Sequence, residues 1–110
     1  MDLPLEMMQE NAGRAVALLK SMANESRLMI LCQLSQKEMT VGELATKIPL
    51  SQSALSQHLS VLRRENLVKT RRESQFVWYS IDSEDAKAVI GTLYDLFCAQ
   101  CETDAGQASA

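Results

Sequence analysis

The stretch Ser51-Gln52-Ser53-Ala54-Leu55-Ser56-Gln57-His58-Leu59-Ser60-Val61-Leu62-Arg63-Arg64 decides the fold. At helical spacing, Leu55, Leu59 and Leu62 share one stripe that a core can bury. The opposite face carries Gln52, Ser53, Ser56, Gln57 and Ser60, with no charge before Arg63 and Arg64. A solvated helix face is ordinarily rich in Lys and Glu. Short hydroxyls and amides suit a groove instead. Gln pairs with adenine edges, Ser reaches bases or phosphate, and small side chains let a helix sit deep in the major groove. Taken alone, the face fits a merely polar surface helix equally well, so the flanking residues decide. His58 lies beside the Leu55/Leu62 stripe, an angle that suits a half-buried hydrogen-bonding role as well as a DNA contact.

Upstream, Leu50, Ser51 and Leu55 read as staple residue, N-cap and staple partner of this helix. The same grammar precedes it. Thr40-Val41-Gly42-Glu43 has the form of a capping box, flanked by Met39 and Leu44. A short helix follows with Val41, Leu44, Ala45 and Ile48 inward, and Pro49 ends it. Two capped helices joined by Ile48-Pro49-Leu50 make a helix-turn-helix, with the Ser/Gln helix in the recognition position. Further back, Asn24 caps a helix through Leu28, Leu31, Cys32 and Leu34, widened by Met29 and Ile30. Before it, Met8, Ala12, Ala15, Val16, Leu19 and Met22 follow a helical period, after a start over Met1 to Glu6 expected to fray.

Downstream, the period changes from 3.6 to 2. Leu67 to Thr70 and Phe76 to Ile81 read as two strands around the tip Arg71 to Gln75, whose lack of Gly leaves the turn type unreadable. A basic hairpin directly after a recognition helix is a wing, with Lys69, Arg71 and Arg72 set to reach phosphate or minor groove. From Arg63 to Arg72, five basic residues stand against the single Glu65, a net of +4. The whole chain sums to −3, so the remainder carries −7. Such a chain has an oriented field rather than a general affinity for polyanions. The last helix begins at Asp82 or Ser83 and carries Ala86, Val89, Ile90, Leu93, Tyr94, Leu96, Phe97 and Cys98. So apolar a terminal helix needs cover from outside its own core. Ile90, Leu93, Leu96 and Phe97, with Met8, Ala12, Val16 and Leu19 of the first helix, are therefore expected to form a homodimer interface. The fold class is mainly α with a small β-hairpin: a winged helix-turn-helix over residues 1–101, followed by a disordered tail at 102–110.

Composition excludes several alternatives. At 110 residues with 46% hydrophobic and 23% charged residues, the chain is one ordinary globular domain. No apolar run has membrane-spanning length and no secretory leader pattern opens the chain, so a cytoplasmic protein with no membrane partner is expected. Three cysteines do not make a disulfide framework. One histidine, no glycine-rich phosphate loop and no paired carboxylates leave nothing from which to assemble an enzyme site, and no cofactor is expected. A closed zinc site is not expected either, since the three thiols lack a fourth ligand. A winged helix that binds protein instead of DNA is the contrary reading, opposed by the uncharged Ser/Gln face and the +4 stripe.

Val41-Gly42-Glu43-Leu44-Ala45, Leu50 to Leu59 with its Ser56-Gln57-His58-Leu59 core, Leu62 to Val68 and Tyr79-Ser80-Ile81 together resemble the ArsR/SmtB family of bacterial transcriptional regulators. The resemblance spans about Ala15 to Cys98. If two such recognition helices are related by a dimer two-fold, the double-stranded operator is expected to be a near-palindrome. Two familiar metal sites of that family are missing: Glu43-Leu44-Ala45-Thr46-Lys47 has no Cys-x-Cys, and the last helix has no histidine. The pair Cys32 and Cys98 is similar instead to the HlyU/BigR-like, cysteine-sensing branch. That resemblance implies an operator affinity switched by oxidation or persulfidation of the two thiols. Two alternatives stay open here: a thiolate metal(loid)-responsive repressor using Cys32, Cys98 and Cys101, and a HlyU-like virulence-gene activator with no small-molecule switch.

Overall fold

The computed structural model describes residues 4–98, so Cys101 and the tail expected at 102–110 lie outside the described residues. Five α-helices and one hairpin follow in the order α1 (Leu5–Met22), α2 (Glu25–Leu34), α3 (Val41–Lys47), α4 (Gln52–Arg64), β1 (Val68–Glu73), β2 (Phe76–Ile81) and α5 (Glu84–Leu93). A π-helical turn over Tyr94–Cys98 closes the described chain. This is a winged helix-turn-helix.

The caps set the boundaries. Asn24 accepts from the Arg27 N–H at 3.0 Å, opening α2. At α3 the capping box is complete: the Glu43 N–H donates to Thr40 Oγ1 and the Thr40 N–H donates to the Glu43 carboxylate, both at 3.1 Å. Ser51 accepts from the Ala54 N–H at 3.1 Å and starts α4. Ser83 does the same for α5 from the Ala86 N–H at 3.0 Å. A side-chain cap of this kind is typically worth about 1 kcal/mol. The first helix begins at Leu5, earlier than the expected Met8, on Pro4, whose fixed φ suits a helix start.

The exit from α4 is equally well specified. Asn66 takes a positive φ of 64°. Its N–H donates to the Arg63 carbonyl at 3.0 Å, and the Leu67 N–H donates to the Leu62 carbonyl at 2.9 Å. These two bonds are a Schellman motif, with Asn as the left-handed residue and the buried Leu62 and Leu67 flanking it. The chain thereby turns directly from recognition helix into wing.

β1 and β2 pair antiparallel with Val68 opposite Ile81 and Glu73 opposite Phe76. The first strand runs on to Glu73, beyond the expected end at Thr70, so the tip shrinks to Ser74 and Gln75, with Ser74 at φ 57°. On the far side of β2, Met39 bridges Tyr79 through two backbone bonds of 3.0 and 2.8 Å. The core lies beneath: Ile30, Leu31, Leu44, Leu55, Leu59, Leu62 and Ala86 are wholly buried, joined by Met22, Leu34, Met39, Ile48, Leu67, Val68, Ile81 and Ile90.

Candidate nucleic-acid interface and cysteine groove

Helix α4 is anchored from below. Leu55, Leu59 and Leu62 have no exposed surface, which fixes the rotation of the helix about its axis. That rotation turns Gln52, Ser53, Ser56, Gln57 and Ser60 outward, all exposed, with Arg63 and Arg64 exposed at the C-terminal end. His58 is half-buried at the margin of the stripe, a position compatible with either of its two expected roles. Among the described residues nothing covers the Ser/Gln face.

The wing supplies cations of different standing. Lys69 is exposed and lies 3.8 Å from Asp82, a loose contact. The Arg72 side chain is exposed and makes no hydrogen bond or ion pair among the described residues. Arg71, expected to reach phosphate or the minor groove, is held in ion pairs within the subunit. Its Nε donates to both carboxylate oxygens of Glu38 at 3.0 Å, its Nη2 also meets Glu38, and its Nη1 meets Glu73. The guanidinium holds the Glu38 carboxyl below its usual range, mainly through these hydrogen bonds. Glu38 sits in a loop 33 residues from Arg71, and no local pattern announces it.

The residues expected at a dimer interface divide. Met8, Val16, Leu19, Leu96 and Phe97 are 44, 46, 55, 57 and 63% exposed, and Ala12 is exposed beside them. Leu5, 71% exposed, extends the same stripe on α1 by one turn, and a periodicity counted from Met8 does not reach it. Leu93 is half-buried. Ile90 is a correction: at 4% exposure it belongs to the core of its own subunit, on the inward side of α5 with Ala86. The i, i+4 spacing of Ala86 and Ile90 puts both on one face, and that face meets the core.

Cys32 and Cys98 come together on one groove between α2 and the end of α5, lined also by Leu28, Ile90, Leu93 and Phe97. Both thiols are free, Cys32 half-buried and Cys98 exposed. Burial pushes the Cys32 thiol up, and the neighbouring Cys98 pushes it the same way. Among the described residues, no group of three or more His, Cys, Asp or Glu side chains could hold a metal ion, and no helix is long and apolar enough to cross a membrane.

Comparison with known proteins agrees with this geometry. Residues 24–70, from the cap of α2 into β1, match the family model described as Bacterial regulatory protein, arsR family. The chain is 54% identical over 94 residues to the transcriptional activator HlyU of Vibrio cholerae serotype O1, covering 86% of this chain and 87% of that protein. The solved structure of reduced HlyU from Vibrio cholerae N16961 matches with a TM-score of 0.81 at 54% identity, over 86% of this chain and 99% of that one. The transcriptional repressor BigR from Xylella fastidiosa gives a TM-score of 0.82 at 36% identity, over 87% and 98%. These relatives are regulators, not enzymes. The chain therefore belongs to the arsR family of bacterial regulatory proteins, as a HlyU- and BigR-like winged-helix transcriptional regulator.

Proposed function

We propose that the protein is a homodimeric, sequence-specific regulator of double-stranded DNA whose operator affinity is switched by oxidation or persulfidation of Cys32 and Cys98. The observation that carries the DNA reading is the exposed Ser/Gln face of α4, held over a stripe of wholly buried leucines. A helix so fixed can present Gln52, Ser53, Ser56, Gln57 and Ser60 to base edges, with His58 at the margin and Arg63 and Arg64 on the backbone. Two such helices related by a two-fold would read a near-palindrome with half-sites about 10 bp apart. The exposed apolar stripes of α1 and the chain's end support the two-fold partner.

The switch reading is supported by the shared groove, by Cys98's influence on Cys32, and by the likeness to HlyU, which has been solved in a reduced form. Joining the thiols would tie α2, which packs against the recognition helix, to the π-helical turn after α5, which carries Leu96 and Phe97 of the apolar surface proposed to dimerise. A shift in their relation would change the separation of the two recognition helices. A bias of a few kcal/mol between two arrangements suffices to change operator occupancy by orders of magnitude.

The test starts by selecting an operator from random duplexes with reduced protein. Its affinity is then measured before and after peroxide or a polysulfide, which transfers a sulfane sulfur to a thiolate and leaves as the shorter polysulfide, for wild type, Cys32→Ser, Cys98→Ser and Cys101→Ser. The first two variants are expected to bind DNA but to lose the response, and Cys101→Ser to keep it. Release of DNA by oxidised Cys32→Ser/Cys98→Ser protein would refute the switch. Equal affinity for every duplex would refute sequence-specific reading.

A further inference from the structure

The wing is a two-stranded hairpin, which is marginal without support. Val68 and Ile81 bury its base, whereas Arg71, Arg72 and Glu73 at its outer end are exposed. Something else must fix the outer half. Strand β2 lies between β1 on one side and the single bridging residue Met39 on the other. Glu38 immediately precedes Met39, two residues before the Thr40 cap of α3. The Arg71 side chain starts on β1 and lies over the ring of Trp78 on β2, its guanidinium carbon 5.4 Å from the ring centroid. It reaches Glu38, binding it through Nε and Nη2 while Nη1 holds Glu73. Phe76 also stands beside Trp78, 6.5 Å away between ring centroids.

We propose that Glu38, Arg71 and Glu73 over Trp78 form a latch that fixes the wing against the helix-turn-helix. Arg71 is then a positioning residue for operator binding, and phosphate binding at the wing falls to Arg72 and Lys69. The inference rests on the DNA-binding reading above. A guanidinium flanked by two carboxylates makes a cluster of net charge −1, a poor partner for phosphate. Single exposed ion pairs contribute little, but this one is bidentate, shared between two acceptors and laid on an aromatic face. Its position matters more than its strength: it spans from the wing to the segment that leads into α3.

The two possible roles of Arg71 differ in sign. If Arg71 contacts phosphate and Glu38 merely restrains it, neutralising Glu38 frees a cation and tightens DNA binding. If the cluster is a latch, the same change weakens binding although it removes a negative charge. The experiment measures operator affinity against salt for full-length wild type, Glu38→Gln, Arg71→Gln and Arg72→Gln. Acrylamide quenching of Trp78, the only tryptophan, is followed without DNA. Glu38→Gln and Arg71→Gln are both expected to weaken binding several-fold at unchanged salt slope and to raise quenching. Arg72→Gln is expected to lower the slope by about 0.9 for each phosphate that the arginine neutralises, and to leave quenching alone. Tighter binding by Glu38→Gln, or a reduced slope in Arg71→Gln, overturns the positioning role. Unchanged quenching in both latch variants overturns the latch. A wild-type protein that binds no duplex refutes the DNA reading and the positioning role, while quenching still reports on the latch by itself.

Discussion

Phe97 offers the sharpest measure of the proposed dimer. It is 63% exposed in the single subunit, at the end of the chain's last described turn. Fully burying a large apolar side chain contributes about 1.5–3 kcal/mol, so covering the exposed part of Phe97 contributes about 1–2 kcal/mol. A two-fold interface contains the residue twice, so Phe97→Ala should weaken dimerisation by about 2–4 kcal/mol, or roughly 30- to 1,000-fold in dissociation constant. Sedimentation equilibrium from nanomolar to micromolar protein reads that change directly. Ile90→Ala is the contrasting variant, because Ile90 is buried in its own subunit. It should cost about 2–5 kcal/mol of subunit stability, seen as a lower Tm and not as clean dissociation into folded monomers. An unchanged dissociation constant for Phe97→Ala, or monomeric wild-type protein at tens of micromolar, would refute the assignment of this surface.

Local geometry sets three further outcomes. Asn66→Val should lose about 1–2 kcal/mol in thermal unfolding, because a β-branched residue is strained at the positive φ that ends α4, whereas Asn66→Gly should be tolerated. The carboxyl of Glu38 is held below its usual range, so its pairing with Arg71 is present above the ordinary carboxylate pKa and lost only as pH falls through the lowered one. Trp78 quenching against pH should therefore stay flat through the ordinary carboxylate range and rise below it; a rise centred within that range would contradict the pairing. Alkylation of Cys32 by iodoacetamide should accelerate only above the ordinary thiol range, and Cys98→Ser should move that profile down without restoring it, since burial is the larger cause. Peptide mapping of the alkylated protein gives both profiles.

What is legible in the chain is what it specifies locally. Thr40 with Glu43, and Ser51 beside Leu50 and Leu55, announce helix starts within a few residues of sequence, and the structure contains each capping bond. The stripe of Leu55, Leu59 and Leu62 fixes which face of α4 is outside. The end of β1 is not legible, because Arg71, Arg72 and Glu73 carry no apolar alternation and stay in the sheet through backbone pairing with β2. The tip has Ser74 where a glycine would have marked a positive φ. Ile90 and Phe97 are both apolar residues near the chain's end, and only the docking of α5 on the core separates the inward from the outward one. The contacts of Met39 with Tyr79 and of Glu38 with Arg71 join distant segments through single residues, so no periodicity could reveal them.

The same strand that carries the wing's cations also leaves a row of backbone groups unpaired. β2 has Met39 on its outer side, but among the described strands β1 has a neighbour on one side only. Its sequence is Val68-Lys69-Thr70-Arg71-Arg72-Glu73, six residues of which four are charged. An open edge of this kind invites a strand from another molecule, and charged side chains are a common way to deter it. A foreign strand aligned with β1 would have to lie along those four charges. The composition proposed to suit the wing to a polyanion would thus also deter edge-to-edge aggregation in a concentrated solution of the regulator, and neutralising the strand is expected to cost solubility as well as DNA affinity.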